Sequence, residues 1–349
     1  MGSGHVGPPY IQEDFDRLAA LGANYVNLSL PGLFTMTPPY VLDEDVQANL
    51  DNILEMVEAA HMFAVLTFRT GPGRSDFTFY SDGAGDWFDP ALLIETVWTD
   101  RAAQDAWVEM WRYTAARYRD NPILVGYDLM CEPNGAGALL EIYEPGEFYP
   151  GYADTLYDWN QFYPRIVAGI REVDPDTPIL VGTMGWSDLR WLPYLEVVDD
   201  PRTVYMVHQY VPQVQYTHQG YPAANTYPDE IDLDWDGVPE AFDRAWLEEF
   251  LMPIDEFQAA HGVPVSVNEF GLRRWVPNAA AFMADEMELF ELHGMNYALW
   301  SFNPIWLPHT KNDDFDFLHG PDPNNHTNVD TSDLIEVIRD YWSRNTLRP

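Results

Sequence analysis

Cysteine is almost missing from these 349 residues. Cys131 stands alone, which rules out an internal disulfide framework and any cysteine-based metal cluster. Lysine is as scarce: Lys311 is the single one, and the other 17 cations are arginines. No stretch approaches the roughly 20 uncharged apolar residues of a membrane-spanning helix, so no membrane partner is expected. The opening Met1-Gly2-Ser3-Gly4-His5 lacks the basic and apolar regions of a signal peptide, and none is visible there. A dinucleotide-binding reading wants a glycine fingerprint after the first strand, and Asn27-Leu28-Ser29-Leu30-Pro31-Gly32 is not one.

Positive charge is the other shortage. Against 18 basic residues stand 56 acidic ones, a net charge of −38. Such a surface repels nucleic acid and anionic lipid, which removes both from the expected partners. It also repels itself, and concentrated salt screens that repulsion. An acidic, lysine-poor chain therefore reads as halophilic.

Apolar residues make up 46% of the chain, enough for a large core. Nearly continuous apolar runs, as in parallel strands buried on both faces, occur at Tyr25–Leu30, Phe63–Phe68, Leu124–Met130, Ile179–Thr183, Val204–His208, Val265–Asn268 and Tyr297–Ser301. Amphipathic helical periodicity fills the gaps, at Gln12–Leu21, Glu44–Ala60, Arg101–Arg119, Tyr157–Val173, Ala241–Ala260, Ala279–His293 and Ser332–Ser343. Strand–helix alternation over this length, with no low-complexity linker, predicts one α/β domain over 1–349, a (β/α)8-type TIM barrel. The chain opens on a helix, however. Only Met1–Ile11 is left for a first strand, and His5–Tyr10 is short and proline-rich, so that strand is expected to be missing or degenerate.

Barrel active sites lie at the C-terminal strand ends. Those ends read Asn27, Arg69, Cys131-Glu132-Pro133-Asn134, His208-Gln209-Tyr210, Asn268-Glu269-Phe270-Gly271 and Trp300-Ser301-Phe302. Two glutamates on separate strands, with a histidine, a tyrosine and a tryptophan, suit sugar hydrolysis. One carboxylic acid protonates the leaving oxygen and the other carboxylate attacks the anomeric carbon.

The motifs along almost the whole chain resemble those of glycoside hydrolase family 5. Gly126-Tyr127-Asp128-Leu129-Met130-Cys131-Glu132-Pro133 resembles the family's fourth-strand motif, which ends in Asn-Glu-Pro. Val267-Asn268-Glu269-Phe270-Gly271 resembles its seventh-strand nucleophile motif, Val207-His208-Gln209-Tyr210 its sixth and Leu299-Trp300-Ser301-Phe302 its eighth. The resemblance implies Glu132 as acid/base, Glu269 as nucleophile, His208 and Tyr210 as orienting groups, and Trp300 as the floor under the reacting sugar. It also implies a retaining β-glycosidase acting on a β-glucan, a β-mannan or a derived oligosaccharide. Three positions depart from the family pattern. Cys131 replaces an asparagine that binds the sugar 2-hydroxyl, Asn27 stands where an arginine is usual, and Arg69 stands where a histidine is common. Arg69 either neutralises nearby carboxylates or replaces the positive charge missing at Asn27. The altered shell leaves a second reading open, a carbohydrate-binding pseudoenzyme or a very weak hydrolase.

Asp232, Asp234 and Asp236, with Gly237 and Asp243, have the spacing of a calcium-binding loop. Structural calcium is thus expected as an alternative to a chance acidic cluster, and no cofactor is required for the reaction. Trp87, Trp186, Trp235, Trp275 and Trp306 fall in loops, as core lids or saccharide platforms. Saccharide chemistry favours secretion. A barrel without its first strand exposes strand edges, which the N-terminal residues cover as a plug or a homo-oligomer covers from outside. Raising salt from 0.1 M to 1 M shortens the screening length from about 10 Å to about 3 Å. The melting temperature should therefore climb with NaCl or KCl into the molar range; a flat or falling curve would refute halophily.

Overall fold

Runs rich in β-branched and aromatic residues form strands, and the periodic segments between them form helices. The computed structural model describes residues 10–302 and 310–349. Residues 1–9, where the degenerate first strand and the plug were sought, lie outside them, as does Trp306. By internal packing, residues 25–206 form one compact unit, and residues 207–348 with the N-terminal helix form a second.

In chain order the elements begin with α1 (Gln12–Leu21), β1 (Tyr25–Pro31), α2 (Glu44–Ala59), β2 (Phe63–Thr70), α3 (Arg101–Tyr118) and β3 (Leu124–Asp128). Then come α4 (Gly135–Leu140), α5 (Pro145–Tyr152), α6 (Trp159–Arg171), β4 (Ile179–Gly182), the one-turn α7 (Met184–Ser187) and β5 (Thr203–Gln209). The chain closes with β6 (Asp229–Ile231), β7 (Glu240–Phe242), α8 (Arg244–His261), β8 (Val265–Phe270), α9 (Ala279–Leu292), β9 (Tyr297–Leu299) and α10 (Asp333–Trp342). The parallel sheet runs β1-β2-β3-β4-β5-β8-β9, so strands lie beside their sequence neighbours with only the β6–β7 hairpin set aside. This is the succession of parallel strands, each followed by a helix, that a (β/α) barrel requires.

Acidic residues start several helices. Asp43, Asp100 and Asp158 accept backbone N–H groups of the first turns of α2, α3 and α6. A cap of this kind is worth about 1 kcal/mol, and a carboxylate there also suits the helix dipole. Behind the caps, α2 buries Val46, Leu50, Ile53, Leu54 and Val57 on one face. Helix α3 buries Trp107, Met110 and Trp111. The indole N–H groups of Trp107 and Trp111 both donate to the Leu129 carbonyl, at 3.1 and 2.8 Å. The Cys131 N–H donates to the Phe68 carbonyl at 3.0 Å. These bonds hold the bent stretch beyond β3 that leads into Glu132.

One expected helix starts later than the periodicity predicts. Residues 240–242 pair with 229–231 as β7, and α8 begins only at Arg244. Asp243 is its N-cap, accepting the Trp246 N–H at 3.1 Å. Strand propensity in Ala241-Phe242 and a capping aspartate right after it explain the shift. Among the described residues, no helix is long and apolar enough to cross a membrane.

Candidate active site

The expected site residues divide between the two units. In residues 25–206, Glu132 follows the end of β3 and adopts a left-handed backbone with φ of +52°. That conformation is uncommon away from glycine and has to be held by its surroundings. Arg74 does so: its side chain is wholly buried and donates to the main-chain carbonyls of Cys131 (2.6 Å), Glu132 (2.8 Å) and Arg69 (3.2 Å). Arg74 reaches that position from a tight Gly71-Pro72-Gly73 turn, in which Gly73 has φ of +73° and Arg74 and Gly71 exchange backbone bonds.

Arg69, at the end of β2, donates to Asp76 at 3.0 Å and lies over the Phe79 ring at 3.9 Å. It also reaches the Cys131 thiol, 3.8 Å away. Cys131 is buried. Asn27 stands within β1 rather than at its end, because the strand runs on to Pro31. There it meets the Thr67 hydroxyl, which also lies 3.1 Å from Asp128. The structure thus carries Asn27 below the level of Arg69 and Cys131.

The second unit carries Glu269, His208, Tyr210 and Trp300. Every residue of β8 is buried, so Glu269 stands on a strand with little water around it. His208 Nδ1 lies 2.7 Å from its carboxylate. An imidazole at that distance orients the carboxylate and stabilises its charge. Gly271 answers a steric need: a Cβ there would come within 2.2 Å of the Trp300 carbonyl, and Trp300 N–H donates to Phe270 at 2.7 Å. Trp300 is half-buried and joined to Ser301 by a cis peptide. Tyr210 is half-buried as well, its ring edge-on to His218 and Phe315.

Sequence reasoning did not single out Arg74, Gln209 or Glu286. Gln209, beside His208 on β5, donates to the Val211 carbonyl at 2.9 Å and to Glu286 of α9 at 3.1 Å. Glu286 is 1% exposed, and burial holds its pKa well above the ordinary carboxyl range. A lone glutamate in a helix of otherwise apolar inward positions was the available signal; nothing in Gly-Pro-Gly-Arg announces a buried arginine.

The acidic loop differs from the expected twelve-residue arrangement. Asp243 caps α8, and Glu240 instead joins Asp232, Asp234 and Asp236, with one oxygen from each within 4.8 Å of the others. All four carboxylates also serve the loop itself, accepting backbone N–H groups of Leu233, Asp236, Gly237 and Val238.

The chain belongs to glycosyl hydrolase family 5: the family's cellulase model matches residues 2–305. A β-xylosidase of Phanerodontia chrysosporium is 23% identical over 288 residues, 76% of this chain and 50% of that protein. An endoglucanase of Paenibacillus polymyxa is 28% identical over 233 residues, 60% of this chain and 50% of that one. Endoglucanase C of Acetivibrio thermocellus is 22% identical over 324 residues, 84% of each chain. The chain spans about half the length of the first two relatives. Among solved structures, Thermotoga maritima Cel5A in complex with cellobiose superposes with a TM-score of 0.66 at 18% identity, over 94% of this chain and 90% of that one. That likeness is one of fold, and it establishes the (β/α)8-type barrel.

Glu286 makes a pH prediction. Its raised pKa means that the folded chain keeps a proton the unfolded chain loses near pH 4.5. The resulting stabilisation is complete below that pH and is lost as pH rises through the folded-state value. The loss should run at up to about 1.4 kcal/mol per pH unit. Glu286→Gln, which never ionises, should lack this term. Denaturant unfolding at stepped pH should show wild type falling relative to the variant above pH 4.5; parallel curves would refute the assignment.

Proposed function

We propose that the protein is a retaining β-glycoside hydrolase for a β-linked glucan, mannan or oligosaccharide, working as one catalytic domain. The observation that carries this reading is the pairing of His208 with Glu269 at the end of β8, in a chain that the family model matches from residue 2 to residue 305. Endoglucanase relatives support the substrate class. Glu269 attacks the anomeric carbon and forms a glycosyl-enzyme while Glu132 protonates the departing oxygen. Glu132 then removes a proton from water, which displaces Glu269 and restores the starting configuration. His208 orients the nucleophile, Tyr210 assists the carboxylates, and Trp300 supplies a flat apolar floor for the sugar. Asn27, Cys131 and Arg69 serve in binding or orienting around the saccharide, Arg69 adding positive charge. The reaction itself takes no cofactor; calcium at Asp232, Asp234 and Asp236 would be structural. The unusual residues at Asn27, Arg69 and Cys131 favour one rival, a weak hydrolase or saccharide-binding pseudoenzyme.

A panel of aryl β-glycosides and β-glucans in molar salt separates the two. Proton NMR of the first product should show the β-anomer, a 2-fluoro glycoside should label Glu269, and a crystal structure should place the two carboxyl groups about 5–5.5 Å apart. Inverted product, or a separation of about 6.5–9.5 Å, would overturn the retaining mechanism. No turnover on any substrate, with saccharide binding intact, would establish the rival.

Cys131→Asn tests the altered shell. An amide bonds a sugar 2-hydroxyl better than a thiol does. One such bond in the transition state is worth about 1–3 kcal/mol, roughly 5- to 150-fold in kcat/KM on β-glucosides. A loss on every β-glycoside tested would mean that Cys131 suits a different sugar.

A further inference from the structure

Arg74 is a fully buried cation whose bonds go to carbonyl oxygens rather than to a carboxylate. Burial lowers its pKa to about 10, which leaves it charged at neutral pH. Two of its acceptors are the carbonyls on either side of the Glu132 α-carbon: Nη1 takes that of Cys131 at 2.6 Å and Nη2 that of Glu132 at 2.8 Å. The orientation of the first carbonyl sets φ of Glu132 and that of the second sets ψ. In an extended strand, successive carbonyls point to opposite sides. Turning both toward one guanidinium requires a helical type of backbone, and Glu132 has φ of +52°. The planar fork is suited to this double contact, whereas an ammonium lacks its fixed geometry.

The fork is itself held from behind. Nη2 lies 3.5 Å from the Asn134 side-chain oxygen, Asn134 donates to the Thr78 hydroxyl at 3.0 Å, and that hydroxyl bonds Glu95. Arg74, Thr78, Glu95 and Asn134 are all buried. A network this enclosed has little freedom to relax, so the direction of the Glu132 side chain follows from the position of the guanidinium.

We propose that Arg74 is the positioning residue for the acid/base, turning the backbone at Glu132 so that its carboxyl meets the glycosidic oxygen. This rests on the reading of Glu132 as acid/base. Proton delivery matters most when the leaving group is poor, so the proposal has a signature that general loss of structure lacks. Arg74→Lys keeps the charge and loses the fork. On aryl β-glycosides, its kcat/KM should drop at least roughly tenfold for phenol-like leaving groups and hardly at all for 2,4-dinitrophenolate, since general acid catalysis is worth about 10²–10⁴-fold. For the phenol-like substrates the loss should fall on kcat with KM little changed, whereas for 2,4-dinitrophenolate a slower second step should lower kcat and KM together. Glu132→Ala is the control and should show the same split more strongly, with azide restoring turnover as the glycosyl azide. If Glu132→Ala shows no split, the acid/base reading fails. If it does and Arg74→Lys loses both substrates equally, or neither, the positioning role is overturned. Should Arg74→Lys fail to fold, Asn134→Ala releases one side of the guanidinium without stranding a charge. A split in the same direction supports the proposal, and its absence overturns it.

Discussion

A carboxyl group drawn out of water at the end of a buried strand has to be paired or kept neutral, and the arrangement around β5 follows from that requirement. Glu269 leaves a strand in which every residue is buried, and His208 meets its charge at 2.7 Å. Glu286 is buried further, where burial holds its pKa well above the ordinary carboxyl range, and the Gln209 amide bonds it. His208 and Gln209 are consecutive residues of β5, and consecutive strand residues point to opposite faces. One strand therefore serves the His208-paired carboxylate on one side and a buried carboxyl group of the helix layer on the other.

The few cations are placed with a similar economy. Arg74 and Arg274 are the largest charged side chains fully buried among the described residues. Both hold main chain. Arg74 gathers the carbonyls of residues 69, 131 and 132, and Arg274 those of Asp313, Gly320, Asp322 and Asn325. A guanidinium carries five donors in a rigid fork, so a single side chain can fix several carbonyls at once, which an ammonium does poorly. In a chain with one lysine, arginine does this internal work, while carboxylates such as Asp43 and Asp100 cap helices.

The strands, most of the helices and the four family motifs were legible because each depends on a local pattern: apolar continuity, 3.6-residue periodicity, a glutamate beside proline or glycine at a strand end. The hairpin at 229–242 was not, since three-residue strands give too short a pattern to read and were absorbed into a helix and an acidic loop. Asn27 is expected among the strand-end residues, yet backbone pairing carries β1 on to Pro31.

The sequence by itself determined the barrel's order of elements, the pair of glutamates and the large negative charge, because these are properties of neighbours in the chain or of simple counting. Tertiary structure alone decided that Glu286 sits against Gln209 77 residues away and that Arg74 turns the backbone at Glu132 across 58 residues. In each case the partner is brought near by packing rather than by spacing. A buried charge has its meaning only once its surroundings exist.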